Sequence, residues 1–567
     1  MRLKRILVLF LAIVLVLSTA ACGKTSEPAS SNQPASSGSS SSQPASSGSS
    51  GSSASSGSSG QAATTEPGKT EQVEAPPVNY GGILRVQIPS SPTVLCNLYK
   101  TVGHGYISAC VETLGLRDVV TNEVTPLLAE SWEYDEATYT ITVHLRKGVK
   151  FHDGSELNAE VVKWNHDVAK EHNMIATYHN FDTEIVDDYT VKIIFDQFYL
   201  DWERSGLAQV YMYSKKAFDE KGEDYLLSHP VGTGAFSFVE YVPDQKLTYT
   251  KFDDYWGTDE YGRKLPYLDG VEIHCILDSN AAMTAFVTGE IDTLTATDNN
   301  VVEQLELNGF KNKCDPIPAS TTIFEVFANT LIKDSPWADI NVRKAVFLYG
   351  IDYEDLTKLA GGPTAVCEHN INIAGSLLAD PSLNDEYHYD LEKAKKMLAD
   401  AGYPDGFETG LETTGIGVSC ATVLQEKLKA LNIKAEITQV TGGDARRYDP
   451  TIEGIAIFCV TTNWDTIIMP LGSMHSPLDL AGGATQGPVV RVDFSQEYHD
   501  LFEKAMNAKT YDERIEWGKK ATRQLYINDV NSTLCYTRAN AQFISDKVHN
   551  TLCEYNWPSP IYAWKEP

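Results

Sequence analysis

Residues 23 to about 79 consist mostly of Ser, Gly, Ala and Pro, and the tract SSGSS occurs several times among them. This stretch has no apolar periodicity and too few large apolar side chains to bury a core, so we expect a disordered tether over residues 22–79. The folded part must therefore lie in the roughly 490 residues from Tyr80 onward, which is enough chain for two or more packed lobes.

A secretory signal peptide is predicted at residues 1–21. Basic residues, among them Arg2 and Lys4, precede the apolar run Ile6–Leu17, and small residues follow at 18–21. The apolar run of about twelve residues is shorter than the roughly 20 residues that a bilayer-spanning helix needs. An uncleaved N-terminal anchor is the alternative interpretation.

Cys22 follows the pair Ala20-Ala21, which resembles the lipobox of bacterial lipoproteins. In that group the cysteine thiol is joined to diacylglycerol and becomes the new N-terminus. The lipobox usually has Leu at the position that Thr19 holds here, while Leu17 lies two residues further back. The resemblance implies that Cys22 is lipidated and anchors the protein at the extracellular face of the cell membrane, since each buried acyl CH₂ contributes about 0.8 kcal/mol.

The composition excludes several classes of protein. A formal net charge of −30 argues against nucleic acid as a partner and against a basic face for membrane binding. Nine cysteines follow Cys22, and both disulfides and buried thiols remain open for them, although the odd count leaves at least one thiol free. There is no Cys-x-x-Cys pair, no HExxH and no GxSxG in the folded part, so we expect no structural zinc, no catalytic residue and no cofactor.

Strand and helix patterns alternate along the folded part. Apolar and polar side chains alternate over Tyr139–Leu145, which predicts a half-buried strand, and Val191–Phe195 predicts another. Helical patterns begin near Ala159 and cover Asp390–Ala401 and Ala421–Leu431. This alternation predicts an α/β fold.

Several motifs occur in an order that resembles family 5 of the bacterial extracellular solute-binding proteins, the dipeptide-, oligopeptide- and nickel-binding group of ABC importers. The longest is PLLAESWEYDEATYTITVHLRKGVKFHDGSELNAEVV, at Pro126–Val162. The others are Tyr80–Val86, Pro230–Phe236 with Asp254-Tyr255-Trp256, Gly289–Asp292, Asn341–Ala345 with Ile351-Asp352, and Tyr389–Gly406.

The resemblance implies a two-lobed fold of the type II periplasmic-binding-protein class, with a hinge and a deep cleft. The expected first lobe covers residues 80–280, with an extra subdomain at about 115–225, and the second lobe covers residues 281–529. The chain would return to the first lobe over residues 530–567, which places the crossings near 276–282 and 526–534. Ligand binding would close the lobes.

The resemblance places the ligand site in the stretch Gly454–Pro477. Peptide-binding relatives have a GWxxDYxDP pattern here, an arginine just before it that can take the peptide carboxylate, and a first aspartate that holds the peptide α-amine. Aligned without gaps, the arginine place falls near Ile457 and the aspartate place near Asn463. We expect Asn463, Trp464 and Asp465 to contact the ligand, with Asp465 as the amine partner if the loop is shifted.

Two further positions are candidate ligand contacts. Asn329 lies in a FANT segment that resembles the FNT of the family, and Tyr106 lies in the loop after the entry strand. His104 and His274 raise the possibility of nickel, but no cluster of histidines accompanies them, so no metal is expected. The pair His152-Asp153 lies on a predicted turn and is interpreted as structural.

These observations predict a monomeric binding protein that captures a small solute and delivers it to the permease and ATPase subunits of an ABC importer. An oligopeptide is the expected ligand, and a carbohydrate is the alternative within the same family. An enzyme or a ligand-sensing surface protein is the alternative from another class.

Overall fold

A computed structural model of the chain describes residues 75–99, 104–118, 123–172, 174, 180–296, 298–311, 321–362, 364–369, 378–440, 449–462, 491–551, 553–554, 557–558 and 560–567. The predicted signal peptide, Cys22 and residues 23–74 of the expected tether lie outside these residues, as do Asn463, Trp464 and Asp465. Within the described part of the chain, no helix is long and apolar enough to cross a bilayer.

The first half of the described chain alternates strands and helices. Its strands are β1 (Ile83–Ile88), β2 (Gly115–Arg117), β3 (Val124–Pro126), β4 (Ala129–Asp135), β5 (Thr140–Leu145), β6 (Phe181–Asp187), β7 (Thr190–Phe195), β8 (Phe236–Val242), β9 (Lys246–Lys251), β10 (Gly270–Cys275) and β11 (Thr293–Ala296). Its helices are α1 (His104–Ile107), α2 (Ala159–Glu171), α3 (Trp202–Leu207), α4 (Lys215–Lys221), α5 (Glu223–Ser228), α6 (Ser279–Val287) and α7 (Asn299–Leu307).

The second half continues the alternation. Its strands are β12 (Thr321–Ala328), β13 (Ala365–Val366), β14 (Glu408–Thr413), β15 (Lys434–Gln439), β16 (Ile455–Thr462), β17 (Ser532–Ala539), β18 (Ala541–Ile544), β19 (Val548–His549), β20 (Cys553–Glu554), β21 (Trp557–Pro558) and β22 (Trp564–Lys565). Its helices are α8 (Ile340–Arg343), α9 (Tyr353–Leu356), α10 (Leu391–Asp400), α11 (Val418–Lys429), α12 (Gln496–Met506) and α13 (Tyr511–Arg523). Wider helical turns extend α8, α9 and α13 to Gly350, Gly361 and Asn528.

Local sequence explains several of these bounds. Strand β5 buries its apolar side chains, as its alternating pattern predicted. Helix α2 begins after Asn158, whose side chain accepts a hydrogen bond from the Val161 amide at 3.0 Å. Helix α10 begins after Asp390, which accepts from the Lys393 amide at 2.9 Å. Both residues satisfy amides that a helix start leaves without an intrahelical partner. The strand and helices that the sequence predicted here are therefore confirmed.

Two six-stranded sheets organise the molecule. The first has the order β18-β11-β1-β10-β9-β8, and in it β1 runs parallel to β10 and β11. The second has the order β13-β17-β12-β16-β14-β15, and in it β14 runs parallel to β15 and β16. The sheets do not share a hydrophobic core: the first sheet contributes Leu84 and Val86 to one cluster (the first core) and Leu294 and Phe543 to another, and the second sheet contributes Phe324 and Val326 to a separate cluster (the second core). The predicted two-lobed α/β fold is therefore confirmed.

The described strands show the chain passing between the two sheets twice. Strand β11 and the helix α6 before it belong with the first sheet, and β12 belongs with the second, so the first passage lies between residues 296 and 321. Strand β17 ends the second sheet, and β18 joins the first one after Asn540. Both passages therefore lie later in the chain than the crossings expected near 276–282 and 526–534. The reason is that β11 and β17 are held in their sheets by hydrogen bonds to strands far away in the sequence.

The extra subdomain consists of a four-stranded sheet, β4-β5-β7-β6, with α2 packed against it. Its buried residues, such as Ile141 and Val191, belong to the same continuous core as β1 and β10. Helix α3 packs against β2 and β3 and stacks Trp202 on Tyr134 at 4.2 Å between ring centroids. The subdomain is therefore an extension of the first lobe.

Most of the described cysteines are buried or half-buried thiols within these cores, and none of those whose state is described forms a disulfide. The free thiols are Cys96, Cys110, Cys275, Cys367, Cys420, Cys459 and Cys535. Burial raises the pKa of Cys96 and of Cys110 to about 12, so both stay protonated and behave as small apolar side chains.

Candidate ligand-binding site

The candidate site lies where the parallel strands of both sheets end. In the first sheet β1 ends at Ile88, β10 at Cys275 and β11 at Ala296, and because these strands are parallel their carboxyl ends share one edge. In the second sheet β14 and β15 end together at Thr413 and Gln439, and the parallel strand β16 continues past them to Thr462. Ligands of open α/β sheets bind outside such carboxyl edges.

Both passages between the sheets lie at these same edges. The first begins just after Ala296 and ends at Thr321, which pairs with Thr462 at the carboxyl end of β16. The second follows Ala539, which pairs with Thr321 on the other side of β12. The carboxyl edges of the two sheets thus flank the connection between the lobes, and this region is the candidate site.

Gln87 contributes a buried polar group on the side of the first lobe. It is the second-last residue of β1, is 3% exposed, and donates from Nε2 to the Ile276 carbonyl at 3.0 Å. Its Oε1 atom is buried and accepts no hydrogen bond from the described residues. A donor from a bound ligand could satisfy this oxygen.

Tyr106 lies close to the same edge. Its hydroxyl donates to the Ser90 carbonyl at 2.9 Å and is 2.7 Å from the Ser90 hydroxyl, two residues beyond the end of β1. Its own carbonyl accepts a hydrogen bond from the Tyr249 hydroxyl at 2.6 Å. Burial raises the pKa of Tyr106, so its hydroxyl remains a neutral group beside the first-lobe edge.

Arg538 is a candidate on the second lobe that the sequence reasoning missed. It lies one residue before the end of β17, opposite Thr322, with its guanidinium 5.1 Å from the centroid of the Phe324 ring. Its guanidinium makes no hydrogen bond or ion pair with the described residues, although its Nε atom is buried. An unpaired buried N–H group costs about 1–3 kcal/mol, so this guanidinium is suited to donate to an anionic ligand.

No motif marks Arg538 in the sequence. In the sequence it stands out only because it is the one charged residue in the segment Ser532–Ala539. The arginine place of the peptide-binding pattern falls at Ile457, which is 4% exposed and belongs to the second core. A search near that pattern therefore could not find a cation on a different strand.

Asn329 lies at the other end of β12 from Thr321. It is 1% exposed, and its side-chain amide donates to the carbonyls of Pro450 and Ile452 at 2.9 and 2.7 Å. Its Oδ1 atom accepts a hydrogen bond from the Leu331 amide at 3.1 Å. These bonds fix the loop before β16, and Asn329 lies at the opposite end of β12 and β16 from Thr321 and Thr462.

His152 and Asp153 have structural partners, as interpreted from the sequence. The Nε2 atom of His152 is 2.9 Å from the Gly234 carbonyl, and burial lowers the pKa of His152 to about 4. Asp153 accepts hydrogen bonds from the hydroxyls of Ser155 and Ser214 at 2.5 and 2.6 Å. In the described part of the chain no group of three His, Cys, Asp or Glu side chains could hold a metal ion.

The fold and the position of the site define a type II periplasmic binding protein. The chain belongs to family 5 of the bacterial extracellular solute-binding proteins, because residues 123–475 match the model of that family, described as its middle region. This finding confirms the family to which the sequence motifs pointed.

Known proteins resemble the chain over different lengths. The glutathione-binding protein GsiB of Pectobacterium atrosepticum is 31% identical over 332 residues, which cover 56% of this chain and 61% of that protein. The chain thus aligns with less than two thirds of the length of this relative.

Two solved structures share the fold. DppA of Helicobacter pylori in complex with the peptide STSA has a TM-score of 0.70 at 23% identity, covering 86% of this chain and 99% of that one. AppA of Bacillus subtilis in complex with a nonapeptide has a TM-score of 0.69 at 20% identity, covering 87% of this chain and all of that one.

Proposed function

We propose that this protein is an extracellular, lipid-anchored binding protein that captures an oligopeptide between its lobes and delivers it to the permease of an ABC importer. Membership of family 5 supports a role in solute binding. The relative named for glutathione binding and the two neighbours solved with peptides support a peptide-like ligand.

The guanidinium of Arg538, which has no hydrogen-bond or ion-pair partner among the described residues, is the observation that favours a peptide over a carbohydrate. A peptide carries a carboxylate at neutral pH, and a charge-assisted hydrogen bond to that group is roughly twice as strong as a neutral one. A neutral sugar offers no such counter-charge. Arg538 would therefore hold the carboxylate from the second lobe, with Tyr106 and Gln87 on the side of the first lobe.

The segment that follows β16 in the sequence is proposed to complete the site. Asn463, Trp464 and Asp465 come directly after Thr462, the last residue of β16 at the carboxyl edge. Asp465 would pair with the peptide α-amine, and Trp464 would stack on a side chain. A ligand held at both ends by different lobes favours the closed arrangement, because only contacts that differ between the open and closed states shift their balance.

Anchoring through Cys22 completes the proposal. A diacylated Cys22 would tether the protein to the membrane that carries the permease, and the segment that follows would allow the lobes to reach it. Mass spectrometry of the N-terminal peptide from membrane fractions tests this step, since Cys22→Ser should abolish both the acyl mass and the membrane association.

Peptides with a free C-terminal carboxylate and the same peptides as C-terminal amides test the ligand class. Isothermal titration calorimetry on the purified chain should show tighter binding of the acid, by about tenfold to a hundredfold. Arg538→Gln should remove this preference while changing the affinity for the amide little. Arg146→Gln is the matched control, because this guanidinium also lies over an aromatic ring, Trp256, at 4.5 Å, but in the first lobe.

The outcomes separate the alternatives. If neither form of any peptide binds but neutral oligosaccharides do, the ligand is a carbohydrate. If acid and amide bind equally to the unaltered protein, peptide binding stands and the role of Arg538 is wrong.

A further inference from the structure

The extra subdomain of the first lobe contacts the second lobe directly. Asp201, immediately before α3, lies 3.5 Å from the guanidinium of Arg514 on α13, measured from Oδ1 to Nη1. Next to this pair, the ammonium of Lys509 lies 4.7 Å from the centroid of the Phe198 ring. Helix α3 buries Leu207 in the first core, and α13 buries Ala521 in the second. These contacts therefore join two separately packed bodies.

The ion pair is shielded from water. The side chain of Arg514 is 6% exposed and that of Asp201 is 14% exposed. Arg514 also donates from Nη2 to the Met506 carbonyl at 3.2 Å, while its Nε atom is buried without a hydrogen-bond partner among the described residues. Burial lowers the pKa of Arg514, and the charge of Asp201 acts in the opposite direction. The carboxylate thus provides the main compensation for the buried charge of Arg514.

The pair is remote in sequence from both passages between the lobes, which lie at residues 297–320 and at Asn540. Asn299, next to the first passage, makes its own contact across the lobes by donating to the Gly361 carbonyl at 2.8 Å. Asn299 is next to a connecting segment in the sequence, whereas Asp201 and Arg514 are both at least 25 residues from either connecting segment. A movement that carries α3 of the first lobe away from α13 of the second would break the Asp201–Arg514 pair.

We propose that Asp201 and Arg514 form a latch that stabilises the closed arrangement of the lobes independently of the ligand. In the closed arrangement, loss of Asp201 leaves the buried charge of Arg514 without its counter-charge, which is strongly unfavourable. In an open arrangement water reaches Arg514 and removes that penalty. Loss of Asp201 therefore shifts the balance toward the open state, and the apparent affinity for ligand falls by the same factor.

Asp201→Asn tests the latch. In small-angle X-ray scattering the ligand-free purified chain should have a larger radius of gyration in the variant than in the unaltered protein. Amide hydrogen exchange at residues 509–514 should become faster. With reduced glutathione as the probe, the dissociation rate should rise by about tenfold or more, since changes within one interface act mainly on dissociation.

Two further variants keep this result specific. Asp219→Asn is the matched control, because Asp219 pairs with Lys215 at 2.7 Å within α4 of the same lobe, and it should leave the radius and the exchange rates unchanged. The double reversal Asp201→Arg with Arg514→Asp should restore both toward the values of the unaltered protein. The latch is excluded if Asp201→Asn changes neither the radius nor the exchange rates, or if Asp219→Asn changes them equally. Both readouts are independent of whether the ligand is a peptide.

Discussion

Glu112 shows how single residues connect the motifs of this protein. It is 3% exposed and accepts hydrogen bonds from the hydroxyls of Thr233 and Tyr255 at 2.8 and 2.9 Å, and from the Trp256 indole at 3.1 Å. Thr233 belongs to the segment Pro230–Phe236, and the two aromatic residues to Asp254-Tyr255-Trp256. Two segments about 20 residues apart in the sequence therefore meet at one buried carboxyl.

The carboxyl of Glu112 should make folding stability depend on pH. Burial raises its pKa from 4.5 to about 7. Below pH 4.5 the group is protonated in both folded and unfolded chains, and stability falls as the pH rises toward 7 because only the unfolded chain ionises freely. The loss amounts to about 3 kcal/mol above pH 7. Urea unfolding at pH 5 and pH 8 should show that Glu112→Gln lacks this pH-dependent loss.

A variant that keeps the carboxyl controls this experiment. Thr233→Val removes one donor but leaves Glu112 able to titrate, so its stability should still fall between pH 5 and pH 8. If Glu112→Gln and the unaltered protein lose the same stability between pH 5 and pH 8, Glu112 is not the group that causes the pH-dependent loss.

At the scale of elements, the turn after α10 shows why the motif Tyr389–Gly406 ends as it does. Gly406 has φ of +74°, and a Cβ atom there would overlap the carbonyl of Asn432 between α11 and β15. Gly402 has φ of +96°, but a Cβ atom there would meet nothing within 4 Å. Both positions favour glycine for their backbone conformation, and Gly406 needs it for the close approach as well.

The two glycines make a matched pair of substitutions. Gly402→Ala should cost about 1 kcal/mol of unfolding free energy, from the backbone conformation alone. Gly406→Ala should cost about 3 kcal/mol, since the overlap with Asn432 is added. Urea unfolding midpoints of the two variants measure the difference, and equal losses would show that the approach to Asn432 contributes nothing.

At the scale of the whole molecule, the described connections between the lobes include the two passages, the Asn299 contact and the proposed latch. A ligand at the carboxyl edges of both sheets would add a further connection between the lobes. Proteins that bind ligand in the folded state gain stability by mass action, about 2.7 kcal/mol when the free ligand is at 100 times Kd. A ligand that contacts both lobes should therefore increase the free energy of unfolding of each lobe.

Calorimetric unfolding with and without ligand tests this distribution. Addition of reduced glutathione, or of the peptide that binds best, should raise the unfolding temperature of both lobes. If unfolding occurs in two steps and one step alone moves, the ligand contacts a single lobe and the closure mechanism is wrong. Arg538→Gln should reduce the shift in proportion to its loss of affinity.

Local structure was predictable where neighbouring residues decide it. Helix α2 needs Asn158 as its cap and β5 needs its alternating side chains, and both requirements are met within a few residues of sequence. The place of β11 in the first sheet was not predictable in the same way, because it depends on pairing with β1 and β18, which lie about 200 residues or more away in the chain. The expected crossing near residues 276–282 fell too early for this reason.

The candidate site was predictable only in part. Tyr106 was proposed from its position after the entry strand and stays a prediction as a ligand contact, and its hydroxyl donates to the Ser90 carbonyl beyond the end of β1. Arg538 could not be found, since its significance comes from the absence of a partner among the described residues and from the end of β17 to which the sheet brings it.

The sequence by itself determined the family, the two-lobed α/β class and many of the helices and strands, because motifs, caps and periodicities act over short stretches of chain. Tertiary structure alone decided which strands share a sheet, where the chain passes between the lobes, and that Asp201 meets Arg514 across them. These properties arise from contacts between residues hundreds of positions apart, which leave no local pattern. The partner of a charged side chain is therefore known only once the folded chain brings the two groups together.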